Sequence, residues 1–212
     1  MGKVKIDNYT AKEAMKLVLE YMQLESVQTI EMITPDTLKC YQNNSETSGR
    51  EWNEDAFNIT FASSKSVLEA VGVTDDKLLK EADSHLFMKM FVQFLHKNRA
   101  KVFLLAENGE VLELMKEYIA KYSSGIRIVE TATMEEHGIS DDMILNLING
   151  VEADCILAAL TSPKQQEFMI RNRLSMNARV WVGIGTRFLD ERSKKSVITR
   201  IKDFLNRHFT IM

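Results

Sequence analysis

The run Thr161-Ser162-Pro163-Lys164-Gln165-Gln166-Glu167 holds the densest set of residues able to bind or transfer anything in this 212-residue chain. It follows the apolar burst Cys155-Ile156-Leu157-Ala158-Ala159-Leu160, so a buried strand ends there and a helix begins. Ser162 is suited to cap that helix and Pro163 to fill its first position. Backbone N–H groups at a helix N-terminus favour anions. A lysine in the first turn opposes the helix dipole, which suits Lys164 to a phosphate and leaves Gln165 and Gln166 to read a base or a sugar hydroxyl. The plainer reading is a well-capped helix with a solvated Lys164.

Other polar residues follow other apolar bursts. Thr34-Pro35-Asp36 offers a hydroxyl and a carboxylate after Val27–Ile33. Ser63-Ser64 follows Phe57–Ala62, and Glu107-Asn108 follows Val102–Ala106. Gly183-Ile184-Gly185-Thr186-Arg187 closes the series. A dinucleotide loop would need a third glycine where Phe188 stands, with a further βαβ unit after it, so a NAD site is set aside. Gly183 and Gly185 instead indicate a tight turn whose backbone passes close to a neighbour or ligand. His85, His96, His137 and His208 have no metal-ligand spacing, and Asp75-Asp76 and Asp141-Asp142 read as helix-start acids. Neither metal nor cofactor is expected.

These groups need a scaffold, and the hydropathy pattern supplies one. Apolar bursts at 27–34, 57–62, 102–106, 126–129, 155–160 and 180–185 read as strands. Amphipathic stretches lie between them. Thr10 and Glu13 form a capping box for Ala11–Met22. A helix is predicted from Ser84 to His96, another from Glu110 to Tyr122 capped by Asn108, and another from Asp141 to Asn149 capped by Ser140 and stopped by Gly150. Alternation of this kind predicts an α/β fold, a Rossmann-like and mostly parallel sheet with helices on both faces. Its ligands would sit at the carboxyl ends of the strands. Residues 42–50 read as a surface loop. Residues 1–186 are expected to form the α/β domain, and 187–212 a basic C-terminal helix, Ser193 to Phe209, packed on it or appended to it. From Arg187 to Arg207 that tail has seven Lys and Arg against three acids.

Composition narrows the class. With 27 Lys and Arg against 30 Asp and Glu, the net charge of −3 excludes nucleic-acid binding by bulk charge. Two cysteines give no disulfide framework and favour a reducing compartment. The charged start Met1–Asp7 does not read as a signal peptide, and no run of about 18 apolar residues could span a membrane.

Taken in order, the segments resemble the WecG/TagA/CpsF glycosyltransferases nearly end to end. The resemblance rests on Ile6–Ala14, Ile33-Thr34-Pro35-Asp36, Val102–Leu105, Ala153–Glu167 with its Ser-Pro-Lys-Gln core, and Ala178–Gly185. It implies transfer of a hexose or hexosamine from a UDP-sugar to a polyprenyl-linked acceptor, in bacterial cell-surface polysaccharide or teichoic-acid synthesis. It further implies Ser162, Lys164, Gln165, Gln166, Gly183, Gly185, Thr186 and Arg187 as substrate-binding residues. Expected partners are the UDP-sugar, the lipid-linked acceptor, the inner membrane surface through the basic tail, and further copies of the chain in a homo-oligomer, with no nucleic acid. The location implied is cytoplasmic, peripheral at the inner face of the membrane.

Several polar positions differ from the family pattern. Its Pro-Asp-Gly, which carries the catalytic base, falls at Ala62-Ser63-Ser64, and its Leu-Gly-Gly turn at Leu105-Ala106-Glu107. Thr161 stands for a glycine and Gln166 for a glutamate. A hydroxyl cannot replace a carboxylate base near neutral pH. Two expectations follow. In one, the chain is a transferase whose catalytic residues are Asp36 as base and Thr34 beside it. In the other, it is a non-catalytic paralogue that binds or scaffolds within a glycan-assembly complex.

Overall fold

The computed structural model describes residues 6–47, 56–135 and 140–189. Each of the six predicted bursts forms a strand: β1 Gln28–Ile33, β2 Ile59–Ala62, β3 Lys101–Ala106, β4 Arg127–Thr133, β5 Cys155–Ala159 and β6 Val180–Gly183. They make one all-parallel sheet in the spatial order β2-β1-β6-β5-β3-β4. Around it lie α1 Ala11–Tyr21, α2 Pro35–Thr47, α3 Lys65–Ala70, α4 Asp76–Ser84, α5 Leu86–Lys97, α6 Gly109–Ala120, α7 Asp141–Val151 and α8 Lys164–Asn172. The fold is α/β and Rossmann-like, with helices on both faces.

The central strands are apolar throughout because both faces are covered. Val102, Leu104 and Ala106 of β3 point into a cluster with α1, α5 and α6. Phe103 and Leu105 point the other way, against α7 and α8. Burying each such Val, Leu or Phe contributes about 1.5–3 kcal/mol. α6 leaves β3 toward one face, while α8 leaves the adjacent β5 toward the other. Connections that diverge from neighbouring strands open a gap at their carboxyl ends, where sheets of this kind take ligands.

The caps mostly follow the sequence. Thr10 and Glu13 close the capping box, and Asn108 and Ser140 accept from the N–H groups of Val111 and Met143. Four expectations are corrected. α2 continues through residues 42–47, read above as loop, since each residue added to a nucleated helix gains a backbone hydrogen bond. The helix predicted from Ser84 is broken at His85, whose left-handed backbone (φ 51°) joins α4 to α5 while its buried ring stacks on Phe188 at 4.3 Å. Gly150 does not stop α7. That helix runs to Val151, which packs on the core, and Glu152 closes it at φ 50°. Ser162 does not cap α8: the helix starts at Lys164 with no side-chain cap, and the Ser162–Pro163 peptide is cis. A helical turn begins at Thr186. Residues 190–212, most of the expected basic helix, lie outside the described residues, as do His137 and His208.

Candidate active site

At the carboxyl edge of the sheet, the loops after β1, β5 and β6 are tied by one polar network. Thr34 opens α2, its hydroxyl accepting the N–H of Thr37 at 3.1 Å. The Thr34 and Thr37 hydroxyls are 2.9 Å apart, and Thr37 reaches the Ser162 hydroxyl at 2.9 Å. Ser162 thus links β5's loop to α2, which explains why it does not cap α8. Its Oγ also accepts from Gln166 Nε2 at 3.2 Å.

The network ends on a residue that the sequence reading missed. Glu31 of β1 is fully buried, and its Oε1 accepts from Gln165 Nε2 and Gln166 Nε2, each at 2.6 Å. Gln165 Oε1 in turn accepts the backbone N–H of Leu160 and of Gly185, both at 3.1 Å. These two donors fix the amide, so its nitrogen must face Glu31. Burial pushes the Glu31 carboxyl up to about 8, against the downward pull of the two glutamine hydrogen bonds. It is therefore mostly protonated at neutral pH. The available signal was a lone Glu inside the apolar strand Ile30-Glu31-Met32-Ile33, where the pattern leaves it no exposed face.

Gly183 is the register partner of Glu31 on β6. A Cβ there would overlap Glu31 Oε2 and come within 2.6 Å of Gln165 Nε2. The close neighbours expected of this glycine are thus protein side chains. Gly185 has φ +71°, and a Cβ on it would lie 3.3 Å from Thr34 Cγ2.

A second group sits in the gap between β3 and β5. Glu107 Oε2 accepts from Thr161 N–H at 2.9 Å and from the Thr161 hydroxyl at 3.0 Å, while Lys164 Nζ donates to Oε1. Burial raises the Glu107 carboxyl, but the hydrogen bonds from Lys164 and Thr161 together hold it below its ordinary value. Lys164 is therefore engaged by an acid of its own chain.

The remaining candidates lie apart from the buried network. Asp36 is on the first turn of α2, half-exposed, 3.7 Å from Lys39. Thr186 is half-buried and Arg187 exposed, both on the turn after β6. At the end of β2, Ser63 Oγ is buried with no hydrogen-bond partner. It lines a cleft with Asp7, Glu81 and His85. Asp7 accepts from Thr60 N–H at 3.0 Å and Glu81 from Ala11 N–H at 2.6 Å. Among the described residues, no three His, Cys, Asp or Glu side chains converge as a metal site, and no helix is long and apolar enough to cross a membrane.

The family model described as "Glycosyl transferase WecG/TagA/CpsF family" matches residues 1–190. No curated protein matches the sequence. The family match spans all six strands and every loop on the carboxyl edge, and the chain belongs to the WecG/TagA/CpsF glycosyltransferase family.

Proposed function

We propose that the chain transfers a hexose or hexosamine from a UDP-sugar to a polyprenyl-linked acceptor, in bacterial cell-surface polysaccharide or teichoic-acid synthesis. The observation that carries this reading, beyond family membership, is the convergence of Thr34, Ser162, Gln165, Gln166 and Gly185, from the ends of β1, β5 and β6, on one network packed against Gly183. In the reaction an acceptor hydroxyl attacks the anomeric carbon, the bond from that carbon to the diphosphate breaks, and the hydroxyl proton passes to a base. Charge develops on the departing diphosphate, so fixed donors there stabilise the transition state. Lys164 and the Thr161 N–H now held by Glu107, with Arg187 nearby in sequence to Gly185, are the donors assigned to it.

Asp36 is the proposed base, with Thr34 orienting the acceptor. Of the carboxylates named on this edge, Glu31 is sealed from solvent and Glu107 is saturated by donors. Asp36 is open and two residues from Thr34. The basic tail 187–212 would hold the protein against anionic headgroups at the inner membrane face.

A second reading, a non-catalytic binding or scaffolding paralogue, is favoured by two observations. An internal ion pair fills the gap between β3 and β5, and Ser63 stands where the family pattern has its acid. The test is incubation with a UDP-N-acetylhexosamine and a polyprenyl-diphosphate-linked acceptor. The transferase reading expects an extended lipid and free UDP from the wild type, both lost in Asp36→Asn with donor binding retained. Neither product nor UDP binding in the wild type favours the second reading.

A further inference from the structure

Glu31 is a costly residue to keep where it is. An acid without solvent or a cationic partner favours its neutral form, and one Glu31 oxygen, Oε2, has no hydrogen-bond partner. An apolar side chain would pack against β6 without that cost. What an apolar side chain cannot do is accept the two amide N–H groups that end on Oε1. Losing that acceptor would strand both amides in a buried site, which is more expensive than never having made the bonds.

Two branches leave Glu31. Through Gln165 it reaches the backbone N–H of Leu160 and Gly185, the first residues past β5 and two past β6. Through Gln166 it reaches Ser162, then Thr37 and Thr34. Glu31 itself meets no solvent, so it touches no ligand and acts only through these groups. Gly183 leaves the space that the carboxyl fills.

We propose that Glu31 is a positioning residue, which through Gln165 and Gln166 locks the loops after β1, β5 and β6 into one arrangement. That these loops face a sugar nucleotide rests on the function proposed above. That Glu31 fixes them does not. The lock is expected to be proton-dependent. The groups facing Glu31 are Gln165 and Gln166 of α8, Gly183 of β6 and, by register, Thr60 of β2, none of which titrates. The charged groups on or bonded to those elements are engaged elsewhere, Lys164 with Glu107, Arg171 with Asp141 and Glu167, and Asp7 with Thr60. Ionising Glu31 would place an uncompensated anion in the network, and burial outweighs the two amide bonds.

The test is amide hydrogen exchange, as protection factors, on full-length wild type, Glu31→Gln and Glu31→Leu, with thermal unfolding alongside. Expected is a loss of protection on the order of tenfold at Leu160 and Gly185 in Glu31→Leu, as befits one hydrogen bond lost at each amide, with β3 unchanged. Glu31→Gln should keep protection at both amides. In the wild type, protection at both should fall as pH rises from about 4.5 toward 8, and in Glu31→Gln it should not. Equal protection at both amides in folded Glu31→Leu would overturn the proposal. Should Glu31→Leu not fold, identical pH dependence in wild type and Glu31→Gln overturns it. A UDP titration of each variant reads the functional claim separately: intact lock behaviour without UDP binding contradicts the proposed function alone.

Discussion

Gly183 and Glu31 face each other across adjacent strands, and the carboxyl fits only because residue 183 has no side chain. A methyl group there meets Glu31 Oε2, which is buried, and the amide of Gln165, which is buried and bonded to Glu31 Oε1. Overpacking of this kind costs about 1–3 kcal/mol. Gly183→Ala should lower unfolding free energy in urea by that amount, and a double-mutant cycle with Glu31→Ala should show coupling of about 1 kcal/mol or more. Additive effects would mean that the two residues do not share the space.

Glu107 behaves as an internal anion for a site that otherwise offers Thr161 N–H, the Thr161 hydroxyl and Lys164. Glu107→Ala should free these donors and tighten UDP binding on the order of tenfold, the scale of one charge-assisted bond. Lys164→Ala should weaken it. Calorimetry checks both, and an unchanged affinity in Glu107→Ala would separate the ion pair from ligand binding. Because its carboxyl is held low, Glu107 stabilises the fold above its ordinary value of 4.5 and loses that contribution as pH falls below it.

Glu31 has the opposite dependence. Its folded value of about 8 lies above the ordinary 4.5, so the native state binds the extra proton between those limits. Stability from this residue is therefore full below about pH 4.5 and is lost as pH rises toward 8, at roughly 1.4 kcal/mol per unit. Glu31→Gln removes the titration. The stability difference between variant and wild type, from urea unfolding at acid and alkaline pH, should grow in the variant's favour on the alkaline side. A difference constant with pH would contradict a raised Glu31.

Thr37 is the joint between Thr34 and Ser162, buried and bonded to both. Thr37→Val keeps the shape and the N–H bond to Thr34 but removes the two hydroxyl contacts. It should cost about 1–2 kcal/mol, the scale of one or two hydrogen bonds, and loosen the contact of α2 with the β5 loop. A melting temperature equal to that of the wild type would show that the hydroxyl contributes nothing.

The six strands were legible because fully covered parallel strands must be apolar on both faces, as in Val102–Ala106 and Cys155–Ala159. Caps such as Thr10, Asn108 and Ser140 were legible because their signal is local. Ser162 departs from its expectation for the same reason: its local signal says cap, but Thr37, 125 residues away, claims the hydroxyl. Residues 42–47 of α2 read as a loop because they are polar throughout, and nothing in their own composition shows that they continue a helix begun at Pro35. Of the residues that meet in the network, Ser162, Gln165, Gln166 and Gly185 stand out in the sequence, as does Gly183 beside them. Glu31 and Thr37 do not, since strand register and a distant loop bring them there. The gap filled by Glu107 and Lys164 depends on which face α6 and α8 take.

If the chain is a sugar-nucleotide transferase, the carboxyl edge of its sheet receives a nucleotide diphosphate. Titrating UDP into the full chain in a calorimeter, at neutral pH and low salt, measures it directly. Saturable micromolar binding is expected, tighter in Glu107→Ala and weaker in Lys164→Ala. An absence of binding heat in the wild type and in Glu107→Ala alike would contradict the proposed function.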